Sequence, residues 1–482
     1  MSRDLPTGEV RRALHRSADL IADYLENVGD YPVLPRIAPG DVARELPAAP
    51  PDQGEPLDQI LDDYRRVIEP NVTHWNHPGF LAYFGITGSG PGIIGEALAA
   101  GLNVNAMLWR SSPAATELEE RCCDWLRQMM DLPADFKGHI NDTASTSTLV
   151  ALAAARHRLP IDVRQQGLSG RPEVPPLVLY TSDQAHSSVD KAAIVLGLGH
   201  ANVRRIASDE AFRMSLPALE AVIAEDRAAG RLPMAVVATA GTTSTTSIDP
   251  VEPIADLCAR EGIWLHVDAA YAGSAAICPE YRALMPGIER ADSLVVNPHK
   301  WLFTPVDCSV LYVRDVALLK AAFSLIPEYL RTDEAGVTNL MDLGFQLGRR
   351  FRSLKLWMVI RAFGVEGLRD RIREQCALGR ELADWIEADP HFELAAPVPF
   401  STVCFQARLA DPADPGRFHD RLNARINAAG PFFVSPTALR GRTTLRVTIG
   451  NLRTGREHIE ALWKTITEEA EVLRREDGEG YS

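Results

Sequence analysis

The sequence has no cysteine framework. Seven cysteines are scattered over 482 residues, Cys122 and Cys123 adjoin, and no C-x-x-C pair occurs. That pattern excludes a disulfide scaffold and a cysteine-ligated zinc site, and it predicts a reduced, cytoplasmic protein without a metal. No segment approaches the roughly 20 apolar residues of a membrane span. The opening stretch, MSRDLPTGEVRR, lacks the apolar centre of a signal peptide. Positive charge is in deficit: 50 Lys and Arg against 64 Asp and Glu give a formal net charge of −14, spread along the chain. This argues against nucleic acid as a partner. Repeats and low-complexity tracts are absent, as are G-x-S-x-G and H-E-x-x-H. The Gly-rich GITGSGPG (85–92) fails as a dinucleotide fingerprint, because G-x-G-x-x-G counted from Gly88 meets Ile93.

What is present reads as an ordinary globular protein, 46% hydrophobic and 24% charged. The length predicts two or three domains. Residues 8–28 carry Val10, Leu14, Ala18, Ile21 and Leu25 at helical spacing, followed by a proline-broken stretch. Such an arm has no core of its own and is expected to pack on another domain or subunit. From about residue 138 strands alternate with helices: GHIND, PLVLYTS, MAVVATAGTT, IWLHVDAAY, SLVVNPHKW and CSVLYVRD are the strand-like stretches. That alternation predicts an α/β domain with a mainly parallel sheet covered on both faces. Residues 349–388 read as long helix, and the remainder as a smaller α+β domain. The expected division is an arm at 1–88, a large domain at 89–360 and a small domain at 361–482.

In open α/β sheets, ligands bind outside the carboxyl ends of the strands. The polar residues gather there: Asp142 to Ser145, His186, Thr242 and Thr243, Asp268, and Asn297 to Lys300. A lysine at the mouth of an apolar strand can lose charge by desolvation and become a nucleophile toward a carbonyl; the ordinary alternative is a solvated lysine. Asp268 can hold a ring nitrogen protonated, or serve as a cap or structural ion pair. Thr143, Ala144 and Ser145 open a helix, where free N–H groups suit a phosphate; Ser145 can equally be a plain cap. His186 can stack on a planar ring or shuttle a proton, or do neither. Together these groups fit a phosphorylated, nitrogen-containing aromatic aldehyde, and pyridoxal 5'-phosphate (PLP) matches each part.

The chain resembles the group II PLP-dependent decarboxylases, and within them the aromatic-L-amino-acid decarboxylase branch. The resemblance runs from about residue 8 to about 470. HPGFLAYF, SPAATELE, DTASTSTLVALAAAR, AHSSVDKA, ATAGTTSTTSID, WLHVDAAYAGSA, NPHKWL and LGRRFRSLK carry it. It implies an aminotransferase-like fold (PLP fold type I) with a seven-stranded sheet, and a homodimer with active sites at the interface. It implies Lys300 as the cofactor-bonding amine, Asp268 as the pyridinium partner and His186 as the stacked histidine. Thr143, Ala144, Ser145, Asn297 and His299 then fall at phosphate positions, with Thr243 and Ala270 flanking the ring. Trp75, Tyr83, Phe84 and Met107 match an apolar substrate wall, which favours an aromatic or large apolar amino acid.

The implied reaction is decarboxylation to an amine, with Lys300, His186 and Asp268 as catalytic groups. Decarboxylating relatives present a loop tyrosine that protonates Cα. Alignment on LGRR puts Leu340 at that place, with Tyr329 at the loop's leading edge; Ile86 stands where a hydroxyl residue can meet the carboxylate. Relatives that lose the proton donor often release aldehyde, ammonia and hydrogen peroxide. That outcome is the expected alternative, and a non-catalytic binding protein is the remote one.

Overall fold

Seven buried stretches pair into one sheet. They are β1 (Lys137–Asn141), β2 (Leu177–Ser182), β3 (Val203–Ile206), β4 (Leu232–Thr239), β5 (Trp264–Asp268), β6 (Ser293–Val296) and β7 (Ser309–Val313). The computed structural model describes residues 4–325, 336–409 and 415–477. The sheet order is β1-β7-β6-β5-β4-β2-β3. The pairs from β6 through β3 are parallel, whereas β7 runs against both of its neighbours. The reason lies in the connections. Helices such as Ala144–Arg158 and Val251–Glu261 supply the crossovers that parallel strands need. Between β6 and β7 there is only the one-turn helix Pro298–Trp301, so the chain turns back antiparallel.

Strands β2, β5, β6 and β7 are buried at every position, as a sheet covered on both faces requires. One face packs on a cluster containing Leu265, Val267, Leu294 and Val296, and the other on Leu177, Leu179, Ala151 and Ala155.

The long helix spans Ser353–Ala388 and breaks at Gly364, whose φ of 67° lies in the left-handed region. Beyond it β8 (Phe392–Leu394), β9 (Thr402–Ala407), β10 (Ser435–Leu439) and β11 (Arg442–Thr448) form a second, antiparallel sheet in the order β10-β11-β9-β8. The helices Pro415–Ala429 and Arg456–Glu476 cover it, around Leu382, Phe405, Leu422, Leu445 and Leu462. The segment 80–82 crosses to this sheet, since Leu81 N donates to Phe433 O at 2.9 Å and Thr448 N to Leu81 O at 2.9 Å.

Helix Thr7–Asn27 forms where its apolar spacing predicts it, yet it buries only Leu20. Leu14 remains 64% exposed and Ile21 40%. Among the described residues no helix is long and apolar enough to cross a membrane.

Candidate active site

Asp268 closes β5, and the turn after it is held by its own carboxylate, which accepts from Ala270 N at 3.1 Å. Ala270 O accepts from Asn297 N at 3.0 Å, and Asn297 O from Lys300 N at 2.9 Å. Backbone pairing thus seats the end of β6 beside the end of β5. Lys300 lies on the one-turn helix after β6 and is partly buried. Burial lowers its amine pKa; Asp268 opposes the shift and Arg446 adds to it. His186, after β2, has an accessible ring whose Nδ1 accepts from Ser188 N at 3.1 Å, so the neutral ring carries its proton on Nε2. Burial lowers the His186 pKa, Asp268 raises it and Lys300 lowers it, so the three groups share one electrostatic neighbourhood.

Asn297 is 1% exposed, and its Oδ1 finds no hydrogen-bond partner. A buried polar atom without a partner marks a place that expects a ligand or water. His299 is pushed down to about 3 by burial, with Lys300 adding to the effect. Its Nδ1 accepts from Cys308 N at 2.8 Å, which leaves a neutral ring with an Nε2–H to donate. Thr143 and Ser145 are exposed at the start of helix Ala144–Arg158, and the Thr143 side chain makes no capping bond to it. Asp142 accepts from Thr143 N and from Thr143 Oγ1, so a carboxylate stands at the rim of this helix start. Thr243 follows β4, and Ala270 is 7% exposed. An amine with a lowered pKa, a nearby carboxylate, the His299 Nε2–H and a helix start fit PLP in kind.

On the wall, Trp75 stacks on Phe80 with centroids 4.3 Å apart and on Tyr83 at 6.0 Å. The Phe84 ring carries Lys300 Nζ at 5.1 Å. Among the described residues Met107 makes no hydrogen bond to this group; its sulfur accepts from Asn105 Nδ2 at 3.4 Å. Its carbonyl accepts from Met341 N at 3.1 Å, and Asn339 Oδ1 from Trp109 N at 3.2 Å, so the 105–109 segment is tied to 339–341.

Leu340 starts a one-turn helix, is 2% exposed and packs among Val150, Leu311, Leu319 and Leu343. With Leu343, Trp109 and Phe136 it lines a cavity of about 720 Å³ that includes none of the residues around Lys300. In the single chain its side chain packs with apolar residues beside the sheet edge. Tyr329 lies outside the described residues.

Sequence reasoning missed Arg446. It sits in β11 of the second sheet and is 4% exposed. Its guanidinium donates to Tyr83 O at 2.6 Å, Ser244 O at 2.9 Å and Thr243 O at 3.1 Å, and lies 4.8 Å from the Phe84 centroid. Three of its five donors are spent on carbonyls, and among the described residues no carboxylate forms an ion pair with it. A lone arginine in the apolar alternation of TTLRVTIG was the available signal.

Comparison with known proteins gives a consistent answer. Residues 39–408 match the pyridoxal-dependent decarboxylase conserved domain. Phenylacetaldehyde synthase of Arabidopsis thaliana is 41% identical, over 98% of this chain and 98% of its own. Aromatic-L-amino-acid decarboxylase of Sus scrofa is 39% identical, again over 98% of both chains. The crystal structure of Oryza sativa TDC with PLP and tryptamine superposes with a TM-score of 0.94 at 38% identity, covering 98% of this chain and 100% of that one.

Proposed function

Because the chain belongs to the pyridoxal-dependent decarboxylase family, we propose that it decarboxylates an aromatic L-amino acid to the corresponding amine and carbon dioxide. The observation that carries this is the grouping of Lys300, Asp268 and His186 at the ends of β6, β5 and β2, against the aromatic wall of Trp75, Tyr83 and Phe84. PLP, when bound, supplies a sink for the electron pair left as the Cα–carboxylate bond breaks. The chain's own residues do the rest. Lys300 offers an amine that burial keeps ready to bond the cofactor's carbonyl carbon. With PLP bound, Asp268 would hold the ring nitrogen protonated and His186 would face the ring. Asn297, the His299 Nε2–H and the helix start at Thr143–Ser145 would hold the phosphate, with Thr243 and Ala270 near the ring. Arg446 is a buried cation with no counter-ion among the described residues and is suited to orient the substrate's carboxylate.

The working unit is a homodimer, with Met107 facing the partner's site. Supporting this, Ile94, Leu98 and Leu102 expose 54%, 53% and 61% along one face of helix Gly90–Leu102, and the arm leaves Leu14 and Ile21 bare. Seven buried free thiols support a cytoplasmic location.

A second reading has a specific observation in its favour: the 41% identical relative is a phenylacetaldehyde synthase. One experiment separates the two. Purified protein is given PLP and aromatic L-amino acids in air, and carbon dioxide, amine, aldehyde and peroxide are quantified. Amine with carbon dioxide and no peroxide is expected. Equal aldehyde and peroxide would establish the second reading, and no carbon dioxide from any amino acid would sink both.

A further inference from the structure

Trp301 follows Lys300 in the chain, and a stack of rings leads from it back to the lysine's own amine. The buried Trp301 ring lies 4.4 Å from that of Tyr271, at an interplanar angle of 4°. Tyr271 in turn lies 4.0 Å from Phe84, at 16°. With Tyr271 against one face, Phe84 leaves the other to two cations, Lys300 Nζ at 5.1 Å and the Arg446 guanidinium at 4.8 Å. The stack is pinned from outside. Trp301 Nε1 donates to Gln375 Oε1 at 2.6 Å, and the Tyr271 hydroxyl bonds Ser401 Oγ at 3.0 Å. Gln375 Nε2 donates to Asn451 O at 3.0 Å, and Asn451 Nδ2 to Trp75 O at 3.0 Å. The rings therefore join the lysine segment, the aromatic wall and the residues following β11.

A ring holds a cation only over its face, with about 0.5–2 kcal/mol to gain, so the ring's orientation decides whether the gain is realised. Phe84 is only partly buried, and its side chain alone could take other rotamers. Tyr271 removes that freedom. Among the described residues no hydrogen bond or ring contact joins Tyr271 to the Lys300 amine or to Arg446.

We propose that Tyr271 is a positioning residue for the reaction: clamped between Trp301 and Phe84, it fixes the ring face on which the Lys300 amine and the Arg446 guanidinium lie side by side. The inference rests on the assignment of Lys300 as the cofactor-bonding amine.

The test titrates Lys300 in the full chain, with and without PLP. Competitive acetylation by acetic anhydride, followed by peptide mass spectrometry, reads the amine of the cofactor-free protein. Absorbance against pH reads the cofactor-loaded one. The charged groups facing the amine are Asp268, Arg446 and His186. In Tyr271→Leu the Phe84 ring is released while three carbonyls keep Arg446 in place, so the charged amine loses its ring. Its midpoint falls by about half a unit in both titrations. Tyr271→Phe keeps the stack and the wild-type midpoint. Phe84→Leu falls as far as Tyr271→Leu, and combining the two adds nothing further. An unchanged midpoint in folded Tyr271→Leu overturns the proposal, as does a Tyr271→Phe midpoint as low as that of Tyr271→Leu. Should Tyr271→Leu not fold, an unchanged midpoint in Phe84→Leu overturns it. If wild type takes up no PLP while the acetylation midpoints behave as stated, the cofactor reading fails and with it the role in the reaction, and only the fixing of the Phe84 ring by Tyr271 stands.

Discussion

Lys300 is partly buried and Lys355 almost wholly so, and burial lowers the pKa of both. Their surroundings differ. Lys355, 1% exposed, stands 2.8 Å from Glu96 in the LGRRFRSLK segment. Arg352 there pairs with Asp307 at 2.8 Å. Arg349 meets Glu119 at 2.6 Å and also donates to Ile140 O at 2.6 Å and Ala106 O at 3.2 Å. Each of these cations has a carboxylate of its own chain. Lys300 forms no ion pair among the described residues and lies instead beside a second cation, Arg446, near the orphaned Asn297 Oδ1. The direction of a pKa shift therefore does not separate a structural charge from a functional one; the presence of an internal partner does. A buried charge satisfied by the protein holds segments together. One left for a ligand is available for chemistry.

The comparison predicts opposite failures. Lys300→Ala should fold normally, remain colourless with PLP, resist borohydride fixation and lose about a thousandfold or more of its activity. A yellow, active Lys300→Ala protein would end the assignment. Arg349→Ala should instead lose about 3–5 kcal/mol of stability in denaturant melts, because Glu119 is left buried and uncompensated. Its folded fraction should keep the cofactor's spectrum. Replacing both partners, as Arg349→Met with Glu119→Leu, should recover most of that loss.

The 340 region sharpens the contrast. Leu340→Tyr should cost about 1–3 kcal/mol by bringing a hydroxyl among apolar side chains and leave the amine-to-aldehyde ratio unchanged. Tyr329→Phe should move that ratio toward aldehyde and peroxide. A product shift in Leu340→Tyr alone would return the proton-delivery question to residue 340.

The smallest effect is a pH limb. His139 is 2% exposed, and burial, with Arg349 adding, pushes its pKa down to about 3. The folded chain therefore binds fewer protons there than the unfolded chain. This contribution is complete above about pH 6.5 and fades as pH falls toward about 3, costing about 1 kcal/mol between pH 7 and about 5.5. His139→Leu should flatten that part of the stability profile, measured by denaturant melts at each pH.

Much of this was written locally. The strands β2, β4, β5 and β6 are short apolar runs closed by polar residues, and their ends carry His186, Thr243, Asp268 and Lys300. Strand β3 was not legible, because two of its four residues are arginines, here paired with Asp226 and Asp190. The reversal of β7 followed from a connection whose length, more than its composition, decides direction.

The sequence by itself determined most strands of the sheet, the gathering of Lys300, Asp268 and His186 at their ends, and the family. Those depend on short-range alternation and on residues that a parallel sheet must deliver to one edge. Only the tertiary structure decided that Leu340 packs in an apolar cluster, and that Arg446 and Tyr271 meet Phe84 beside Lys300. These are contacts between segments hundreds of residues apart, and no local pattern encodes which buried side chain a distant strand will bring alongside.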